Sequence, residues 1–494
     1  MTMFKSVVIV GGSLSGLMHG VHLKREGVNV TILEQDRASE RSSHNAGIRV
    51  DENVNDFLRQ HDQTCLTTSL ESKANFISVR KRENLVKADK GTTRYWTNWG
   101  LMYRILRANF DGYASTACPT PPASKPGDGT AQYLTGNRVT SLHYTNGTVT
   151  LHYVDVETGE EHSITSELVI GADGLHSNIR KLVHAPLACQ KKYAGFVAWR
   201  GAVPRASVSQ ATSEFFSGQV SFNLMGQNTY MICYVIPTDD GDFAPEAQLI
   251  NWVLYQDVAE GTANEAAIFT DSSGRRYKRT VPQGSVDPCT WDSFRGPLVA
   301  RMAAPFAELV SATKNPFVTK VSDVLCSKAS FFDGHVVLVG DALATYRPHA
   351  GKATDQAASH CRELAKVWRG EKSLASWDSE ACANAKKMYL LSRLMAIEIR
   401  LLPHNLTLSH FSVNTQPHFR PDRENKTVTM ADADISQENA DTSAMSKTKL
   451  KQTIWPEPLV VLPTAAHTHV RTDEETVSQS PLTCARRVAH EPAS

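Results

Sequence analysis

Apolar runs that end in glycine turns organise this chain. Val7-Val8-Ile9-Val10 is β-branched without alternation, the pattern of a strand buried on both faces. Gly11-Gly12-Ser13-Leu14-Ser15-Gly16 follows, residues 17–25 carry helical spacing, and a second apolar strand over 28–33 ends at Glu34. The same change from apolar run to turn recurs twice. Leu168-Val169-Ile170 leads into Gly171-Ala172-Asp173-Gly174, with a helix expected after it. Val336-Val337-Leu338-Val339 leads into Gly340-Asp341-Ala342, then Arg347-Pro348-His349-Ala350-Gly351 opens another helix.

Between these segments the pattern predicts further elements. Residues 66–96 read as strands that join a second sheet. Asn98 or Thr97 caps a helix over 99–114, with Leu101, Ile105 and Ala108 on one face. Residues 115–131 are proline-rich and read as a loop. Strands over 139–142 and 149–154 flank Thr145-Asn146-Gly147, a hairpin signal. From 185 to 295 the segments are of β type, among them 196–200, 220–224 and 230–236, and 353–402 is helical. Beyond Pro403 the apolar pattern fades, and the composition of 403–494 predicts a low-complexity, disordered tail.

Composition narrows the function. The chain has 494 residues with 41% hydrophobic content, enough for a large core, and a net charge of +1 from 52 basic and 51 acidic residues. There is no basic stripe interleaved with aromatics, which argues against nucleic acid. No apolar run approaches the ~18 residues of a membrane span, and the N-terminal glycines continue a nucleotide motif rather than a signal peptide. Nine scattered cysteines without C-x-x-C spacing point to reduced thiols, and no metal is expected. The Asn146, Asn405 and Asn425 triplets match the glycosylation pattern but are silent in the expected cytoplasmic location.

The first glycine turn, between two strands and with an acid at the end of the second, suits a dinucleotide: pyrophosphate over a helix N-terminus and ribose hydroxyls on Glu34. Ser13 replaces the usual middle glycine, so its Cβ holds the backbone further from a pyrophosphate. Asp173 alone reads as a helix cap. The three turns together, in this order, resemble the group A flavoprotein aromatic hydroxylases, over roughly residues 4–400. Phe196-Val197-Ala198-Trp199-Arg200-Gly201 and the Arg-Pro-His after the Gly-Asp turn are most similar to the dihydroxypyridine hydroxylase branch.

The resemblance implies an α/β fold. A discontinuous Rossmann-like FAD-binding domain (1–184 and 296–402, with 66–96 contributing to the substrate sheet) carries a mixed-sheet α+β substrate domain (185–295) and a C-terminal helical segment. It implies FAD as cofactor, NADPH or NADH as a transient co-substrate, and O2. The reaction it implies is hydroxylation of a small aromatic or heteroaromatic compound through a flavin C4a-hydroperoxide, in aromatic catabolism or secondary metabolism. Gly11, Ser13, Leu14, Ser15, Gly16, Glu34, Arg107, Asp173, Asp341, Pro348, Gly351, Lys352, Ala353 and Thr354 are the expected cofactor contacts; Arg104 is an alternative to Arg107.

The chain departs from many relatives at Ala344, where they carry histidine, and at Ala353, where they carry glycine. The flavin loop is thus an altered version. His349 inside that loop and His44 in the 44–48 segment are the candidate catalytic residues. Arg200 is expected either to meet an anionic substrate or to salt-bridge across the sheet, and Trp199 and Tyr230 read as core aromatics. Epoxidation, oxygen insertion beside a ketone, or a flavin-binding role without oxygenase turnover are the alternatives.

Overall fold

The Ser6–Val10 strand lies inside a six-stranded sheet. The order is Ser330–Phe331, Val336–Leu338, Leu168–Gly171, Ser6–Val10, Asn29–Leu33 and Ala131–Leu134, parallel except for the antiparallel first strand. Val7, Val8, Ile9 and Val10 are all buried, as their unbroken apolar pattern requires. Each fully buried side chain of this size contributes about 1.5–3 kcal/mol of transfer free energy. Helix Leu14–Arg25 packs against both Trp99–Asp111 and Ala353–Trp368 beside this sheet. A three-stranded antiparallel sheet, Asn137–Thr145, Thr148–Asp155 and Glu161–Ser166, shares the same core through Val139, Val149 and Leu151. Its hairpin turns at Asn146 and Gly147, with φ of 50° and 79°, the left-handed pair of a two-residue turn.

A computed structural model of the protein describes residues 4–39, 43–79, 82–87, 93–185, 189–226 and 229–401. The expected 403–494 tail, with Asn405, Asn425 and Cys484, lies outside them.

The second sheet runs Thr280–Val281, Phe317–Leu325, Lys192–Pro204, Leu249–Asp257, Thr229–Ile236, Gln219–Gly226, Ala74–Val79 and Arg82–Lys87. Ala344–Thr345, just past the Gly-Asp turn, pairs with Val324 and Leu325 and ties the two sheets together. Alternate residues of the central strands face opposite ways. Val197, Trp199 and Val203 join Trp252, Trp291 and Phe306 in a core beneath helices Gln210–Phe216, Pro288–Val299 and Ala304–Ala312. Phe196 and Ala198 join Tyr230, Val253 and Tyr255 on the other face.

The stretch read as strands therefore also holds helices. Ser209, Thr262 and Asp287 begin them, each side chain accepting a hydrogen bond from the amide three residues on, a local signal that the sheet pattern overshadowed. The expected 99–114 helix ends at Asp111, where Gly112 takes a left-handed φ of 70°, and Asn98 is its cap, accepting from Gly100 N–H. No helix among the described residues is long and apolar enough to cross a membrane.

Candidate active site

The Ser6–Val10 strand is followed to one side by Asn29–Leu33 and to the other by Leu168–Gly171, so the connections diverge at its carboxyl end. Open α/β sheets bind ligands at such a crevice, and all three glycine turns meet there. Gly11 has φ of 104°, and a Cβ on it would stand 2.5 Å from Ala172 O. A Cβ on Gly16 would stand 2.0 Å from Gly11 O, so only glycine lets the Leu14–Arg25 helix start this close to the strand. Ser13 precedes that helix but makes no side-chain cap, and the first turn carries no acid. Leu14 is buried beneath it. The positive helix end is thus left for an anion from outside.

Glu34 is buried at the end of its strand, accepting from Gly12 N–H at 2.8 Å and from Asp36 N–H at 2.9 Å. Arg107 is also buried, but its guanidinium is engaged by Asp111, with Nε and Nη2 at 2.9 and 2.8 Å, and lies 3.7 Å above the Tyr133 ring. Tyr133 in turn donates to Gly12 O. Arg107 is therefore tied to the turn through Tyr133. Arg104 pairs with Asp240 instead.

Asp173 is engaged within the protein as well. Its carboxylate accepts from Asn178 N–H at 2.6 Å, Ile179 N–H at 3.1 Å and the Ser177 hydroxyl, so it holds the start of the Asn178–Val183 helix. That helix carries Arg180, whose Nη1 donates to Ala342 O at 2.8 Å. The Asp-Gly turn thereby braces the Gly-Asp turn.

Asp341 differs from the other two carboxylates. Its Oδ1 is shielded from solvent and has no hydrogen-bond partner, and the same is true of Ser15 Oγ. Ser15 sits beside Gly340, where a Cβ would stand 2.6 Å from its Oγ. Burial pushes the Asp341 carboxyl up to about 6, although Arg180 opposes the shift. Two orphaned oxygens beside a glycine cradle and an uncapped helix fit the hydroxyls and phosphates of FAD. His360 supports the turn from behind: its Nδ1 accepts from Gly340 N–H at 3.0 Å, and burial drives its pKa down to about 3, which keeps it neutral. No spacing signal marked His360.

The loop beyond follows the expected course. Pro348 opens a single 3-10 turn, Gly351 has φ of 60°, and Ala353–Trp368 is the helix, with Thr354 buried and Ala353 exposed. Lys352 binds Asp51 at 2.8 Å and Asp355 at 3.3 Å, so its ammonium is engaged within the protein.

His349 packs against the open face of the second sheet. Its Nδ1 meets the Tyr230 hydroxyl, and its ring lies 4.3 Å from that of Tyr255 and 5.5 Å from that of Phe196. Tyr230 is buried in a core cluster, as read, and that cluster contacts His349, whereas Trp199 lies in the opposite core, stacked 4.5 Å from Phe294. His44, with φ of 52°, rests 5.2 Å from Phe317 on the same open face but in a different contact set from His349. Its loop is fixed to the sheet by Tyr234 OH donating to Gly47 O and Asn251 Nδ2 donating to Asn45 O. Arg200 alternates with Phe196 and Ala198, its Nε is shielded and unpartnered, and it makes no ion pair among the described residues.

Residues 5–65 match an FAD binding domain, and residues 193–323 match an FAD binding domain-like family. The chain is 28% identical over 382 residues to the 2,6-dihydroxypyridine 3-monooxygenase of Paenarthrobacter nicotinovorans, covering 76% of this chain and 86% of that protein. The structure of 2,6-dihydroxypyridine-3-hydroxylase from Arthrobacter nicotinovorans superposes with a TM-score of 0.69 at 25% identity, over 81% of this chain and 94% of that one. These matches support a group A FAD-dependent aromatic hydroxylase. The 6-hydroxynicotinate 3-monooxygenase of Bordetella bronchiseptica is a further relative, 26% identical over 40% of this chain and 48% of its own length. One sheet holds the three glycine turns here, while a second sheet presents an aromatic face to the loop after the Gly-Asp turn.

Proposed function

We propose that this hydroxylase acts on a small, electron-rich ring carrying an acidic hydroxyl, of the phenol or hydroxypyridine class. The observation that carries this reading is Arg200, a half-buried cation with no ion pair among the described residues, on an otherwise aromatic face formed by Phe196, Tyr230, Tyr234 and Tyr255. Aromatic side chains suit a ring, and its oxyanion is favoured opposite a guanidinium. The named substrates of the two relatives, 2,6-dihydroxypyridine and 6-hydroxynicotinate, are hydroxylated heterocycles of this kind.

FAD, reduced by NADPH or NADH, supplies the redox chemistry, with one atom of O2 entering the ring and the other leaving as water. The chain supplies the rest. Ser15, the Gly11–Gly16 turn and the helix start bind the phosphates, Asp341 holds ribityl hydroxyls, and the 348–354 backbone seats the ring. Glu34 keeps the first turn in shape. His349, steadied by Tyr230, takes the proton of the substrate hydroxyl, and His44 closes the opposite side of the pocket. Residues 1–184 and 296–402 form the cofactor domain, with 66–96 shared, and 185–295 carry the substrate. The scattered thiols and the need for reduced nicotinamide suit the cytoplasm.

The test is NAD(P)H oxidation by the FAD-loaded protein across a panel of phenols and hydroxypyridines, with products made under 18O2. Ring-dependent acceleration with one labelled oxygen in the product is expected. No acceleration with any ring, in a protein that holds FAD, would sink the proposal.

A further inference from the structure

Behind the Gly-Asp turn, on the side away from the aromatic face, His184, Cys189 and Cys326 converge. Their donor atoms lie within 4.8 Å of one another, although the residues come from distant parts of the chain. His184 follows the Asn178–Val183 helix, and Cys326 follows the Phe317–Leu325 strand. Cys326 is fully buried and its Sγ lies 3.9 Å from Ala342 O, next to Asp341. Cys189 and His184 are half-buried, so one side of the cluster is reachable from solvent.

Two features separate this group from an ordinary cluster of core thiols. His184 keeps Nε2 shielded from water without a hydrogen-bond partner, a state that costs free energy unless something binds there. Its ring is also held in place, edge-on to Phe331 at 4.8 Å. Two sulfurs and one imidazole nitrogen are a donor set suited to zinc-class cations, with the fourth tetrahedral position left for water. Carboxylates, which would favour magnesium or calcium, are not part of the cluster.

We infer that His184, Cys189 and Cys326 form a binding site for one thiophilic divalent cation of the zinc class. The cation would join the end of the Asp-Gly segment to the end of the strand that pairs with Ala344–Thr345. It would thus brace the flavin loop from behind without touching the substrate. The spacing along the chain hides the site because its ligands meet only when the two sheets come together.

The test uses the full-length protein, reduced with a phosphine and freed of metal, and titrated with Cd2+ while the thiolate-to-cadmium absorption is followed. One tight equivalent is expected, displaced by Zn2+. Cys189→Ser and Cys326→Ser should each abolish it, His184→Ala should weaken it at least tenfold, and Cys289→Ser, at an exposed thiol, should leave it unchanged. X-ray absorption of the zinc-loaded wild type should show two sulfurs at about 2.3 Å and a nitrogen at about 2.0 Å. Because that spectrum needs no variant, a misfolded variant cannot decide the matter. The inference is overturned if the reduced wild type binds no tight equivalent. It is equally overturned if the equivalent survives in folded Cys189→Ser and Cys326→Ser proteins, or if the zinc spectrum shows oxygen ligands in place of sulfur.

Discussion

Arg347 Nε lies 2.9 Å from Asp323 Oδ2, and Arg393 grips the same carboxylate through Nε at 2.9 Å and Nη2 at 3.0 Å. Asp323 is fully buried in the second sheet, whereas Arg347 begins the flavin turn and Arg393 comes from the Leu374–Leu401 helix. One carboxylate therefore fixes the altered loop to both neighbours. Removing it leaves two partly buried cations uncompensated, at a cost on the order of 3 kcal/mol. Asp323→Ala should lower the midpoint of chemical denaturation and weaken FAD retention together. Burial alone would raise the Asp323 carboxyl, but the hydrogen bonds from Arg393 and Arg347 outweigh it and hold the group below its ordinary value. Its contribution is then fully present above about pH 4 and fades as pH falls through the depressed value. The gap in stability between wild type and variant should be flat from pH 6 to 8 and shrink on the acid side. A gap that widens in acid would contradict this assignment.

Asp341 titrates the opposite way. Its carboxyl is raised to about 6, so the protonated form favours the folded, FAD-free protein, and that advantage is lost as pH rises through about 6. Asp341→Asn removes the penalty of a buried charge. The FAD-free variant should be more stable than FAD-free wild type at pH 8, by about 1–3 kcal/mol, with the difference vanishing below pH 4. The same change replaces one carboxylate oxygen by an amide donor and removes the charge from the proposed acceptor of cofactor hydroxyls, so FAD affinity measured by flavin fluorescence should fall about 10- to 100-fold. A variant that loses stability at pH 8 would show that Asp341 already has a strong partner within the protein.

Gly340 and Gly112 both have left-handed φ, 55° and 70°, but their surroundings differ. A Cβ at Gly112 meets nothing within 4 Å, so Gly112→Ala should cost only the backbone strain, about 1–2 kcal/mol. A Cβ at Gly340 meets Ser15 Oγ at 2.6 Å and Ser15 Cβ at 3.0 Å, between the two orphaned oxygens. Gly340→Ala should therefore lose bound FAD, whereas Gly112→Ala keeps it. Flavin-to-protein absorbance ratios after purification decide the comparison; equal FAD content in the two variants would count against the cradle.

Much of this architecture was legible in the chain because it is written locally. The apolar runs before Gly11, Gly171 and Gly340 need no partner to be recognised as buried strands, and Asn98 and Asn146-Gly147 mark their own cap and turn. What stayed hidden depends on side chains meeting across the fold. Arg107 has the right place for a phosphate ligand, yet Asp111, one turn further along the same helix, engages it. Asp173 sits in a ligand-like motif but saturates itself on its own helix. His360 and Asp323 carry no motif at all, and their importance comes from Gly340 N–H and Arg347 arriving beside them. Tyr230 is the core aromatic its pattern suggests, yet only strand register, which sets it opposite Tyr255, brings it to His349.

That register has a kinetic consequence. Tyr230 touches His349 through its hydroxyl, so Tyr230→Phe deletes that contact while keeping the ring. FAD content and KM should stay within about twofold, and kcat should fall roughly tenfold, because a wandering imidazole spends less time in line with the substrate proton. His349→Asn should cost more, about 100-fold in kcat, since it removes the proposed proton acceptor itself. If Tyr230 acts only by steadying His349, adding Tyr230→Phe to His349→Asn should bring no further loss in kcat. The double variant is then the decisive measurement. Losses that multiply would mean that Tyr230 works on the substrate independently of His349.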